Sequence, residues 1–204
     1  MDHAEHEHLD HVHHDHHEHH DMGSIDVMAL SATLHCLTGC AIGEIVGLLI
    51  GTSAGLHNAA TIPISIGLAF LFGYALSTLP LLKAGLPVAT ALKVVLAADT
   101  VSILTMEVFD NLVMVGIPGA MNAGLANGLF WVSMMLSFVA AFGAAYPVNR
   151  WLLQRGRGHA LTHEFHGAAS VQGVRRFIPS FSTGALAAAL VAFMLGGLLV
   201  AAAG

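Results

Sequence analysis

Five apolar stretches, each long enough to cross a bilayer, leave this chain one architecture: an all-α integral membrane bundle of about five transmembrane helices. A spanning helix needs about 20 apolar residues to cross a hydrocarbon core about 30 Å thick, and residues 28–55, 60–82, 87–117, 128–152 and 181–203 all meet that length. With 55% hydrophobic and 10% charged residues and a mean hydropathy of +0.72, the chain departs from a soluble domain, where about 25% of residues are charged. The breaks are turn sequences: His57-Asn58, Lys83 to Pro87 with Gly85, Pro118-Gly119 followed by Asn122 to Gly128, and the polar segment 154–180. None is long enough for a second soluble domain. The organisation expected is a disordered polar tail over 1–26 and a transmembrane bundle over 27–204, with a basic loop at 154–180.

The tail is chemically distinct from the rest. Residues 2–21 interleave ten histidines with seven carboxylates and contain no cation. Such a segment cannot bury enough surface to fold alone, but its imidazoles and carboxylates offer many three- and four-ligand combinations to copper, zinc or nickel. It reads as a metal buffer; a solubilising tail is the plainer alternative. It lacks the basic start of a secretory signal peptide, so the first span is expected to be retained.

Orientation follows from the seven cations. Lys83 and Lys93 flank the second turn, and Arg150, Arg155, Arg157, Arg175 and Arg176 lie in or beside the last loop. In a five-span chain these two connections share one side. The positive-inside rule makes that side the cytoplasm, which predicts a multi-pass protein of the cell inner membrane with its N-terminus cytoplasmic and its C-terminus outside. Cys36 and Cys40 then fall in the cytoplasmic third of the first helix, where thiols stay reduced.

The first span carries HCLTGCAIGE, residues 35–44. At about 100° per residue Cys36, Cys40 and Glu44 form one stripe with His35 beside it. Thiolates and imidazole are ligands for copper and zinc, although one straight helix cannot enclose an ion and a second helix has to contribute. Gly39, Gly43, Gly47, Gly51 and Gly55 form a small-residue ridge that admits a close neighbour helix, which also suits a homo-oligomer. The alternative for the thiols is apolar packing. An acid such as Glu44 near mid-membrane costs at least about 2–3 kcal/mol and points to function.

The third span carries Asp99, Met106, Glu107, Asp110 and Asn111 within DTVSILTMEVFDN. Asp99, Met106 and Asp110 project onto nearly one line, with Ile103, Glu107 and Met114 close to it. Asp99 to Asp110 covers about 16 Å, and Cys36 to Glu44 about 12 Å. Side by side, the stripes make a ladder from the cytoplasmic Cys/His group through Glu44 and Asp99 to Glu107 and Asp110. The metal-ligand set expected is thus His35, Cys36, Cys40, Glu44, Asp99, Met106, Glu107 and Asp110. Against it stand two readings: protonated acids that only bond between helices, with Asn111 and Thr100 as partners, and a proton relay.

Other features are weaker. His57 and Asn58 suit a turn. His159 and His163 in HALTHEFH can share an ion if helical, but Gly167 stands where the second His of HExxH would be. No P-loop, nucleophile elbow or dinucleotide fingerprint is present, so no enzymatic activity is expected, and seven scattered cations give no nucleic-acid surface.

The segments TLHCLTGCAIGEIVGLLIGT, LAADTVSILTMEVFDNLVMVGIPGAM and AYPVNRWLLQRGRGHA, with their HCxxGCxxGE and ADTxSIxxMExxDN patterns, resemble a bacterial and archaeal multi-span membrane family catalogued as a domain of unknown function. The resemblance covers about residues 30–160 and implies an association of some members with copper proteins. The function expected is a transporter or handler of a transition-metal ion of copper, zinc or nickel type, with export favoured. Its alternatives are a metallochaperone or redox subunit that delivers metal to a membrane partner, or a purely structural subunit.

Overall fold

The computed structural model describes residues 17–155, 177–179 and 181–203, with side chains from residue 25 onward. These residues form α1 (His17–Ser53), α2 (Asn58–Lys83), α3 (Val88–Gly116), a short 3-10 turn (Ala120–Asn122), α4 (Gly128–Gln154) and α5 (Thr183–Ala203). No strand occurs among the described residues. Spans Ile25–Ser53, Asn58–Lys83, Val88–Gly116, Gly128–Gln154 and Thr183–Ala203 are long and apolar enough to cross a membrane, within a few residues of the five expected. This is a multi-pass membrane protein.

One expectation changes. Helix α1 begins at His17, so the last ten residues of the segment expected to be disordered continue the first span. A helix already nucleated by the span gains one hydrogen bond for each residue added; residues 17–26 contain no Pro, and their one glycine, Gly23, does not interrupt the helix. Residues 1–16, with seven of the tail's ten histidines, and the HALTHEFH stretch lie outside the described residues.

The turns after α1 and α2 are built alike. Gly55 (φ 65°) and Gly85 (φ 104°) adopt the left-handed conformation, and the following amides, of Leu56 and Leu86, donate to the carbonyls of Gly51 and Leu81. These are Schellman closures, in which a side chain at the glycine would be strained. Gly55 therefore belongs to a turn and not to the ridge, and no other atom would touch a methyl group placed there.

The ridge itself is used within the chain. Gly39, Gly43, Gly47 and Gly51 of α1 meet Gly73, Ala69, Ser65 and Thr61 of α2, in antiparallel order and in steps of four, so closely that a methyl on any of the four glycines would overlap its partner. This is small-residue packing of the kind that drives helices together in lipid. It occupies the surface that would suit a homo-oligomer, and it turns the Gly face toward α2 while the Cys36/Cys40/Glu44 stripe, about 100° away, turns toward α3.

The other helices close around this pair. Tyr74 Oη lies 2.8 Å from Thr100 Oγ1 across α2 and α3. Buried Asn149 on α4 donates from Nδ2 to Thr33 Oγ1 of α1 at 2.9 Å. Nearby, Arg150 Nε donates to Asp26 Oδ1 at 2.5 Å, an ion pair exposed enough to contribute only about 0–1 kcal/mol. Gly197 of α5 sits against the Trp131 ring, where any side chain would overlap, and Phe193 meets the same ring edge-on with centroids 5.5 Å apart. The start of α4 thus meets the late part of α5, so these two helices are antiparallel. Outward faces carry Leu71, Leu112, Val139, Leu199 and Val200, all strongly exposed, as a lipid-facing surface requires.

Gly43→Ala is expected to force α1 and α2 apart and to cost about 1–3 kcal/mol. Gly67→Ala, where nothing lies within 4 Å, is expected to be neutral or to stabilise by about 0.5–1 kcal/mol through helix propensity. Thermal unfolding of the two variants in detergent, followed by fluorescence-detected size exclusion, measures the difference.

Candidate functional site

The polar groups buried in the bundle are Thr33, Glu44, Thr61, Ser77, Thr78, Asp99, Ser102, Glu107, Asp110, Ser133, Ser137 and Asn149. Most cluster where α1 faces α3. Because these two helices run in the same direction, equal steps along each keep their side chains level. The result is a series of rungs.

At the first rung the Cys36 thiol faces the hydroxyls of Ser77 on α2 and Ser102 on α3, within electrostatic range of Asp99. At the second, Cys40 lies beside Glu107, with Glu44 also close. At the third, the carboxyl groups of Glu44 and Asp110 face each other, with Glu107 near both. The Ser137 hydroxyl of α4 donates to Asp110 Oδ1.

The order differs from the expected ladder in one respect. Asp99 lies level with Cys36, while Glu44 lies level with Asp110, at the far end of the path. Two turns of helix separate Cys36 from Glu44, and the same rise on α3 leads from Asp99 to Glu107; the sequence gives these rises but not the offset between helices.

Above the third rung a cavity of about 80 Å³ opens, lined by Glu44, Glu107, Asp110 and Asn111 together with Met114, Met121, Phe130 and Met134. It lies at the end of the bundle where the turns 54–57 and 117–127 meet. There Asn58 donates to Asn122 Oδ1 at 2.9 Å, and the start of α2 and the 117–127 turn contribute to the lining through Asn58, Ala120 and Ala123.

Three buried oxygens at this end, both of Glu107 and Oε1 of Glu44, have no hydrogen-bond partner among the described residues. Leaving a buried acceptor unbonded costs about 1–3 kcal/mol; the groups that face these carboxyls across α1 and α3 are Cys40 and Asp110. The partners expected for bonds between helices, Asn111 and Thr100, are engaged elsewhere. Asn111 Nδ2 donates to the Glu107 backbone carbonyl at 2.9 Å, and Thr100 is engaged with Leu96 O and Tyr74.

Two of the predicted ligands stand apart. The Nδ1 of half-buried His35 donates to the Ser31 carbonyl at 2.8 Å. Met106 is buried in the apolar core with Cys36, Cys40 and Ile103 and does not line the cavity. Among the described residues no three His, Cys, Asp or Glu side chains converge tightly enough to hold a metal ion. The arrangement is a succession of two-group levels.

The groups that sequence reasoning overlooked are mostly on α4. Ser133, Ser137, Ala141, Ala145 and Asn149 recur every fourth residue, and all are buried. That small-and-polar repeat was the available signal. Met121 and Met134 carried none, because a lone methionine in an apolar span reads as packing.

Residues 27–158, more than half of the chain, match the model of a family described as Domain of unknown function (DUF4396). The chain belongs to this family. The matched segment takes in α1 through α4 and so the whole path, and it stops before α5. Comparison with curated proteins and with solved structures finds no significant match.

Cys36 and Cys40 are 0% and 1% exposed. Both are expected to resist a membrane-permeant maleimide in the native detergent-solubilised protein and to react fully after SDS denaturation. Rapid native labelling, read by intact-protein mass spectrometry, would show that the interface between α1 and α3 opens.

Proposed function

We propose that this protein moves a transition-metal ion of copper, zinc or nickel type across the cell inner membrane, along the thiol and carboxyl groups shared by α1 and α3. The observation that carries the reading is the placement of four acids and two thiols, all on facing stripes of two parallel spans and leading into a cavity. Groups this expensive to insert are retained where they do work. Two ligating groups at each level hold an ion weakly, and passage requires sites that are entered readily and left readily.

The basic connections favour a cytoplasmic N-terminus. That places the histidine-rich tail beside the thiol end and the cavity at the outer face, and it suits collection from the cytoplasm and export. A delivery role fits less well, because a thiol that hands metal to a partner has to reach the surface, and both cysteines are buried. The facing carboxyls of Glu44 and Asp110 favour a second reading, a proton path, since two acids in contact can share and pass a proton.

The test is flux through the full chain in proteoliposomes loaded with a metal-sensitive dye. Asp110→Asn keeps an acceptor for Ser137 and therefore the fold, and Glu107→Gln is similarly conservative. Each is expected to slow metal entry by at least about tenfold, a barrier increase of about 1.4 kcal/mol, while Leu112→Ala on the lipid face changes nothing. Flux unaffected by either acid variant would overturn the proposal. Proton movement without metal movement, seen with a pH dye, would establish the second reading.

A further inference from the structure

The lining of the cavity beside Glu44 and Asp110 includes both acids and sulfur. Met114 comes from α3, Met121 from the 3-10 turn and Met134 from α4, so three separate elements each bring a thioether to one small chamber. Met114 and Met134 are buried, at 8% and 3% exposed. The same lining holds Glu107, 3% exposed with both carboxyl oxygens unbonded, and Glu44, 9% exposed with Oε1 unbonded. The amides of Asn58 and Asn111 and the hydroxyls of Thr61 and Ser65 also line the chamber, and none of them bonds these three oxygens.

From this juxtaposition we infer that the chamber is a binding site for a soft monovalent d10 cation, Cu(I) or its analogue Ag(I), held by the thioethers of Met114, Met121 and Met134 with charge compensation from Glu44 and Glu107. The inference rests on the transport reading above and narrows its cargo. Thioether sulfur is neutral and polarizable; it selects Cu(I) and similar soft ions and adds little for Mg(II), Ca(II) or Zn(II), which prefer oxygen, nitrogen or thiolate. The thioethers belong in the ligand set because His, Cys, Asp and Glu alone do not form a group of three able to hold a metal ion among the described residues.

Packing alone accounts less well for the arrangement. Leu or Ile would fill an apolar gap with better-defined rotamers, whereas methionine is adaptable and exposes its sulfur edge. Two methionines away from the chamber, Met135 and Met194, line an apolar groove between α1, α4 and α5 that contains no acid.

Those two residues supply an internal reference for the test. The full chain, labelled with ε-13C-methionine and purified in detergent, is titrated with Ag(I) past saturation of the histidine-rich tail while the methyl resonances are followed by NMR. Resonances are assigned from single Met→Leu variants, which are close to volume-conserving. The methyl signals of Met114, Met121 and Met134 are expected to shift together and to saturate, those of Met135 and Met194 to stay in place, and Zn(II) in equal excess to leave all five unmoved. Chamber methyl signals unmoved by Ag(I) would overturn the inference, as would equal shifts with Zn(II). If the methyls do not respond while Glu107→Gln still abolishes zinc or nickel flux in proteoliposomes, the soft-ion site falls and the transport reading stands. If neither the methyls nor the flux respond, both fall.

Discussion

A carboxyl group at the centre of a bilayer costs about 2.5–3.5 kcal/mol even on the mildest scale, and this bundle encloses four: Glu44, Asp99, Glu107 and Asp110. The cost can be met only by turning all of them inward, and that requirement orders the rest of the structure. Helix α1 has to give its polar stripe to α3, so its glycine ridge, about a quarter turn away, is left for α2. Helix α2 answers with Thr61, Ser65, Ala69 and Gly73, a matching run of small residues. Helix α4 then closes the polar seam with Ser137 on Asp110 and Asn149 on Thr33. Each pairing of helices follows from the one before it.

Small residues and acids therefore have complementary roles. In lipid there is no hydrophobic force to press helices together, because the tails are as apolar as leucine; close backbone approach supplies the attraction instead. The tight α1–α2 contact gives α1 a fixed rotation about its own axis. With that rotation fixed, Cys36, Cys40 and Glu44 are held level with their counterparts on α3. A wider α1–α2 contact would let the stripe turn toward lipid, and the buried acids would lose the enclosure on which their insertion depends.

The spans, their order and the inward direction of the two polar stripes were legible from residue type and helical period, because a 20-residue apolar run has no alternative in lipid and an acid there has no alternative to facing protein. The start of α1 was less legible: a histidine- and acid-rich composition argues for disorder, yet the span templates residues 17–26 as helix. The offset between α1 and α3 was not legible at all. Period fixes which residues share a face; it does not fix how far one helix slides along another, and so the pairing of Glu44 with Asp110 and of Asp99 with Cys36 had to come from the structure. His35 was drawn into the ligand set by adjacency to Cys36, whereas its Nδ1 bonds the carbonyl one turn back.

The two ends of the path differ in chemistry as well as in openness. At the Cys36 level the groups are one thiol, the hydroxyls of Ser77 and Ser102 and a single carboxyl, Asp99, all buried. At the Glu44 level they are carboxyls that border a cavity beside the turns 54–57 and 117–127. The number of carboxyls thus rises from one, Asp99, at the Cys36 level to three, Glu44, Glu107 and Asp110, at the cavity, in an interior where charge counts for more than it does in water. The gradient arises because acids are carried on both helices at the cavity end and on α3 alone at the Cys36 end. A symmetric arrangement, with acids in place of Cys36 and Cys40 as well, would enclose six carboxyls in place of four and raise the insertion cost by about half.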